Sequence, residues 1–203
     1  MSIPGYVDIQ INGYHNVDFS DPELTESDFL RTAERIFESG TYLFLPTVIT
    51  GSEEVYLRNI KLMHDAVVKN GLEKQIPGIH WEGPFLSDQP GAVGCHNPAY
   101  IRKPDCRFLD KIMDHTGGFI KLMTVAAENE GVEELIRHAV SLGITVGCGH
   151  QLANYEQLQK AEKAGAHKAL SEQLKFNEVN HFLYKSEHAS SERDRINARI
   201  ADV

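Results

Sequence analysis

Short apolar runs alternate with amphipathic stretches along most of the chain. Tyr6 to Asn12 reads as a strand, with Gln10 and Asn12 on one face because side chains alternate along a strand. A turn-rich stretch from Gly13 to Pro22 follows. Thr25 and Asp28 have helix-capping spacing, and Phe29, Ala33, Ile36 and Phe37 recur at helical intervals up to Gly40. Tyr42 to Ile49 is a second, buried strand. Ser52 to Asn70 is a second helix, with Val55, Ile60, Met63 and Val67 near one face. Ile76 to Glu82 makes a third strand, a helix begins over Phe108 to Met113, and Phe119 to Ala126 is the fourth strand. Val132 to Leu142 and Tyr155 to Ala164 read as helices on either side of a fifth strand, Ile144 to Cys148. Ala166 to Leu170 and Ile196 to Ala201 have the composition of sixth and seventh strands.

Repeated strand–helix alternation predicts a parallel sheet with helical crossovers. The strands are apolar nearly throughout, as they are when both faces are covered. A Gly-x-Gly-x-x-Gly signature after the first strand is absent, which removes the usual signal for a dinucleotide fold. The expected class is α/β, a TIM (β/α)8-type barrel in which no eighth strand is found. Residues 1–203 are expected to form one partial barrel domain. The pattern decays from Ser171, and 171–195 reads as an irregular or shortened segment, with Lys185 to Arg195 polar and charged. A barrel lacking a strand leaves unpaired edges, so a homo-oligomer is expected.

Composition narrows the function more than the fold. Of 203 residues, 41% are apolar and 24% charged, which suits a soluble globular chain with one substantial core. The formal net charge of -9 argues against nucleic acid or an anionic membrane as partner, since both want basic patches. No apolar run is long enough to span a bilayer. Met1-Ser2-Ile3-Pro4-Gly5 has neither a basic region nor a signal-peptide core. Cys95, Cys106 and Cys148 are odd in number and widely spaced, fitting a reduced cytoplasm better than a disulfide framework. Cys95 and Cys148 lie close to histidines. They can be read as small buried residues or as thiolate ligands.

The candidate chemistry lies where apolar runs end. Ile76 to Trp81 ends in Glu82, followed by Gly83-Pro84 and a polar loop running to His96; Ile144 to Gly149 delivers His150. In a parallel α/β fold, functional groups sit at strand ends. A carboxylate and a neutral imidazole from two such ends can form half of a divalent metal site. They also suit a loop-facing acid and a hydrogen-bonded core histidine. The residues alone leave both open.

Longer motifs carry a resemblance. Pro4-Gly5-Tyr6-Val7-Asp8-Ile9-Gln10-Ile11-Asn12-Gly13, Leu45-Pro46-Thr47-Val48-Ile49-Thr50, His80-Trp81-Glu82-Gly83-Pro84-Phe85 and Gly94-Cys95-His96-Asn97-Pro98 occur in order. Through them Met1 to Ala169 resembles the N-acetylglucosamine-6-phosphate deacetylases, metal-dependent members of the amidohydrolase superfamily. The resemblance implies hydrolysis of an N-acetyl group to give glucosamine 6-phosphate and acetate in cytoplasmic amino-sugar catabolism. It implies Glu82 and His150 as metal ligands and His96 as a loop histidine near the sugar. Gln10 and Asn12 stand where many amidohydrolases carry a His-x-His pair for a second metal. Amides are weak ligands, so at most one divalent ion, zinc or iron, is expected, with partial occupancy or none as the alternative. The pair is grouped with His96 on the substrate side, polar capping of the barrel mouth being the other reading.

Departures from the family pattern sit mostly toward the C-terminal side. The family's second metal histidine lies in a Thr-His-Leu-Phe-Asn-Ala-Met type of motif. Here the region reads Ala169-Leu170-Ser171-Glu172-Gln173-Leu174-Lys175-Phe176, leaving Glu172 or His167 as imperfect third ligands. Gln151 follows His150 where serine is common, and Ala126-Ala127-Glu128 replaces Ala-Pro-Glu. Ile200-Ala201-Asp202-Val203 resembles the start of the family's seventh strand, after which its substrate histidine and then its catalytic aspartate would follow. Asp202 matches a different strand from that aspartate, so no catalytic residue is assigned. The family's N-terminal β-sandwich flank has no counterpart. Besides an amidohydrolase, a non-catalytic binder of an amino-sugar phosphate or metal, and an inactive truncated barrel, fit the pattern.

Overall fold

A computed structural model describes residues 5–167 of the chain. The expected irregular segment 171–195, the seventh strand 196–201, Glu172 and Asp202 lie outside the described residues. The elements run β1 Tyr6–Ile11, β2 Gly13–Tyr14, β3 Val17–Asp18, α1 Glu26–Glu38, β4 Thr41–Ile49, α2 Glu53–Val55, a π-helical turn Tyr56–Ile60, and α3 Lys61–Asn70. They continue with β5 Ile79–Glu82, a short 3₁₀ turn Pro98–Tyr100, α4 Cys106–His115, β6 Ile120–Val125, α5 Val132–Ser141, β7 Thr145–Cys148 and α6 Tyr155–Ala164.

Strands β1, β4, β5, β6 and β7 pair in that order, every neighbour parallel. Each crossover therefore adds the next strand on the same side of the last. Because such crossovers share one hand, successive helices fall on one face of the sheet. There α1 packs on α3, α4 on α5 and α5 on α6. The sheet is a parallel half-barrel. Beyond α6 the His167 N–H donates to the Val146 carbonyl at 2.8 Å, and Gly147 and His167 form an isolated parallel bridge; most of the sixth strand expected over 166–170 lies outside the described residues.

Strand alternation divides the two faces more sharply than an apolar reading of the strands suggests. Phe44 and Val48 of β4, Ile79 and Trp81 of β5, Met123 and Val125 of β6, and Val146 and Cys148 of β7 join one core. The helices contribute Phe29, Ile36, Met63, Val67, Ile112, Leu135 and Ile136 to it. The residues between these on the strands face the other way: Thr47, His80, Glu82 and Thr124 are buried and polar. Curvature explains how that face tolerates them. Gln10 of β1 reaches Glu82 of β5 at 3.0 Å although β4 lies between their strands, so the sheet curls toward its polar side.

Local chemistry sets the boundaries. The Thr25 hydroxyl accepts the Asp28 N–H at 3.1 Å and starts α1. Asn154 and Gln157 form a reciprocal capping box on α6. The helix expected over 52–70 is present but widened at Tyr56–Ile60. At that turn Asn59 donates to the carbonyls of Phe19 and Asp21, at 3.0 and 2.8 Å, and Arg58 donates to Leu24 at 2.7 Å. Those contacts tie the helix to the segment after the β2–β3 hairpin. The hairpin itself lies in the stretch read as turns, and its tip residues His15 and Asn16 have positive φ.

Candidate metal centre

Glu82 ends β5, His150 follows β7 and His96 closes the loop after β5, so strand ends and one loop converge on a single point. Glu82 Oε1 lies 3.4 Å from His150 Nε2. One donor atom each from Glu82, His96 and His150 lies within 4.8 Å of the others. The two imidazoles meet edge to face, centroids 4.3 Å apart and planes at 77°. All three groups are shielded: Glu82 is 5% and His96 3% exposed, and the His150 side chain 16%.

The loop after β5 is built to this arrangement. Gly83 has φ +96, and a Cβ there would lie 2.1 Å from Thr50 Oγ1, so the turn out of the strand accepts no side chain. Gly94 has φ +57, and a Cβ there would come within 2.9 Å of His150 Cε1. The backbone ties the loop to its neighbours: Ser87 N–H donates to the His150 carbonyl at 3.0 Å, and Ala126 N–H to that of Phe85 at 2.9 Å. Asn129 donates to the carbonyls of Phe85 and Leu86 at 3.1 and 3.0 Å. His150 itself has φ +47, a left-handed backbone uncommon for a residue other than glycine.

Each histidine has its Nδ1 held by a neighbour. His150 Nδ1 lies 2.9 Å from the Ala92 carbonyl, which can only accept, so Nδ1 carries a proton, and Nε2 faces Glu82 Oε1. His96 Nδ1 lies 2.9 Å from Thr50 Oγ1 and 3.3 Å from the Thr50 N–H, while Nε2 is buried with no partner among the described residues. Glu82 Oε1 accepts from Gln10 Nε2. Beneath them His80 is fully buried, its Nε2 2.7 Å from Thr124 Oγ1 and its Nδ1 3.4 Å from Thr47 Oγ1.

Charge follows from these surroundings. Burial pushes His80 and His96 down to about 4, so both are neutral near pH 7. For Glu82 burial works upward, but the His150 hydrogen bond and the nearby His80, His96 and His150 outweigh it and hold the carboxyl below its ordinary value. An ionised carboxylate with two imidazoles beside it is a donor set for a divalent transition metal. A tetrahedral ion with bonds near 2.0–2.1 Å sets its donor atoms about 3.4 Å apart. The Glu82–His150 separation of 3.4 Å has that length. The residues present fit such an ion.

The other sequence candidates fall at different distances from this point. Gln10 is exposed on β1 and meets Glu82. Asn12 is exposed at the strand's end, where its carbonyl accepts the Phe19 N–H at 2.9 Å. His167 is exposed at the bridge beyond β7 and outside the cluster. Sequence reading put His96 beside a sugar and did not bring it to Glu82 and His150; its signal, a histidine fourteen residues past Glu82 on the same loop, says nothing of where the loop returns.

No protein-family model matches the chain. It is 35% identical over 167 residues to the N-acetylglucosamine-6-phosphate deacetylase of Bacillus subtilis, and 34% over 168 residues to that of Bos taurus. By sequence, its relatives are the N-acetylglucosamine-6-phosphate deacetylases. The fold agrees. The Mycobacterium smegmatis deacetylase, solved also as an alanine variant in complex with N-acetyl-D-glucosamine-6-phosphate, superposes with TM-score 0.73 at 30% identity and 81% coverage of this chain. The Pasteurella multocida deacetylase gives 0.71 at 32% identity and 80% coverage. The chain spans about 41% of the length of the Bacillus subtilis relative, and its alignment to that protein covers 81% of the chain.

Proposed function

We propose that the chain serves as a metal-dependent amidohydrolase that removes the acetyl group of N-acetylglucosamine 6-phosphate. The observation that carries this reading is the buried Glu82–His150 pair at the C-terminal edge of a parallel half-barrel, in a chain whose relatives are deacetylases of that sugar phosphate. The full fold would be a (β/α)8 barrel. Glu82 and His150 would hold one zinc or iron ion, and Gln10 donates to the Glu82 oxygen. His96 sits on the substrate side, with Gln10 and Asn12 at the mouth. The setting is cytoplasmic, and among the described residues no helix is long and apolar enough to cross a membrane.

A bound divalent ion lowers the pKa of a coordinated water toward neutrality and polarises the amide carbonyl. This chain's residues bind, shield and orient. Glu82 offers a charge that its histidine neighbours keep ionised, and His150, its Nδ1 held by the Ala92 carbonyl, would offer Nε2 when neutral. In the reaction the water oxygen bonds to the acetyl carbon, the C–N bond breaks, and a proton passes to the leaving amine. That proton needs a general base and acid. The metal-site cluster among the described residues has Glu82 as its one carboxylate, which favours a second reading in which the chain binds the sugar phosphate without turning it over.

Acetate release from N-acetylglucosamine 6-phosphate, assayed with added zinc or iron, tests the first reading. Release lost in Glu82→Ala supports it. No release, combined with a thermal shift on adding the sugar phosphate, supports the second. Neither response defeats both.

A further inference from the structure

We propose that Gln151 is a positioning residue for His150, holding it in the metal centre by accepting the Ala127 N–H, and that Ala127 and Gln151 work as one coupled pair. The proposal rests on the metal reading above and names what keeps one of its ligands in place.

His150 needs holding. Its φ of +47 is a backbone that a residue with a side chain keeps only where its surroundings over-determine it. The chain around it is tied at four successive residues. The Gly149 N–H donates to the Val125 carbonyl and the Ser87 N–H to the His150 carbonyl, each at 3.0 Å. Gln151 Oε1 accepts the Ala127 N–H at 3.1 Å, and the Leu152 N–H donates to Glu128 Oε1 at 2.7 Å. The first two are backbone bonds and do not depend on which side chains stand there. The last two cross in opposite senses between the segments after β6 and β7, and each needs one side chain.

Of those two side chains, Gln151 adjoins His150 in the chain, and its bond answers a demand. Ala127 is 5% exposed, so its N–H requires an acceptor within the fold. Without Gln151 Oε1 the segment after β6 has to open toward solvent to satisfy that N–H. Leu152 is bonded to the same segment and Gly149 to the end of β6, so the opening carries His150 with it.

Two departures from the family pattern thereby become one. The usual residues at 127 and 151 are Pro and Ser. Proline has no N–H, so a chain with Pro at 127 has nothing there to satisfy, and a serine suffices at 151. Ala127 brings the N–H back. Gln151, whose oxygen stands two bonds further from the backbone than a serine hydroxyl, reaches it. Either change alone leaves a group without its partner; together they close.

The test is a double-mutant cycle in the full 203-residue chain, with zinc and cobalt ions as probes. Zinc affinity is measured by competition with a chromophoric chelator, and ligand geometry by the visible absorption of the cobalt form. Gln151→Ser and Ala127→Pro are each expected to weaken zinc binding by about tenfold, the lower end of what partners outside the ligand set cost, and to shift the cobalt band. The double variant, which carries the family's pair, is expected to recover most of the lost affinity together with the wild-type band. A general loosening of the fold is not reversed by a second substitution. If Ala127→Pro proves unfolded by circular dichroism, Gln151→Met decides: it keeps the length, loses the acceptor and should match Gln151→Ser. Single losses that simply multiply in the double variant overturn the proposal. Wild-type zinc affinity in Gln151→Ser and Gln151→Met, with binding abolished in Glu82→Ala and His150→Ala, also overturns it and leaves the metal reading standing. A chain that binds neither ion in any form overturns both.

Discussion

At the scale of single residues, His80 shows how much of the site lies one layer below it. The ring is fully buried two residues before Glu82 on the same face of β5, between hydroxyls from β4 and β6. His80→Ala opens a cavity and leaves the Thr124 hydroxyl without its 2.7 Å partner. The expected cost is about 2–4 kcal/mol in urea unfolding, from cavity and unsatisfied-group terms together. A loss under about 1 kcal/mol would mean that the layer relaxes or fills with water. The thiols give a cheaper check on packing. Cys95 is exposed while Cys148 is 2% exposed, so a thiol reagent should label Cys95 in the native protein and Cys148 only on unfolding. Rapid native labelling of Cys148 would contradict the packing of β7 against the helices. Glu82 and His150 were legible in the sequence because each ends an apolar run. The Thr50–His96 contact was not, since it joins residues 46 apart through a loop whose path no periodicity encodes.

At the scale of elements, the apolar runs predicted the five described strands, and apolar spacing, with the Thr25 cap on α1, predicted the longer helices to within a few residues. The strand read from Ile76 is paired only from Ile79, and the preceding Gly78 packs against Phe119 and Lys121 with no room for a side chain. What escaped was irregular: the π-helical turn and the two-residue hairpin strands. The π-helical turn is tied by tertiary hydrogen bonds from Asn59 and Arg58 to the segment after the hairpin, and the hairpin strands are too short to carry a period. The loop after β5 is the element on which the site depends most. Gly83→Ala places a Cβ 2.1 Å from Thr50 Oγ1 at φ +96. The strain should cost about 2 kcal/mol or more, and displacing Thr50 should weaken zinc binding along with it. Unfolding and chelator competition on the same sample would show both losses. A variant with wild-type stability and zinc affinity would mean that the turn out of β5 does not constrain the site.

At the scale of the whole molecule, the half-barrel raises the question of its edge. Among the described residues β1 pairs with β4 alone, and Tyr6 and Val7 on β1 are each 61% exposed, with Tyr42 on β4 at 59%. A parallel sheet is ordinarily covered on both faces and closed or protected at its edges. The sequence foresaw open edges from strand count; it could not say which side chains line them, because Tyr6, Val7 and Tyr42 carry the same apolar signal as residues in the core. An edge of this kind pairs with a second strand when one is offered, so the isolated 203-residue chain is expected to self-associate through β1. Sedimentation velocity over a concentration series should show a dimer or larger species. Val7→Lys sets a charge on the edge, where burial against a second chain is costly, and should shift the chain toward monomer while leaving zinc affinity intact. The site lies on the polar face at Glu82, to which Gln10 of β1 donates, and Val7 is not among the residues of that cluster, so the two readouts separate. A wild-type chain that sediments as a monomer at every concentration would mean that the β1 edge is covered from within the chain, and self-association would then have no part in completing the barrel.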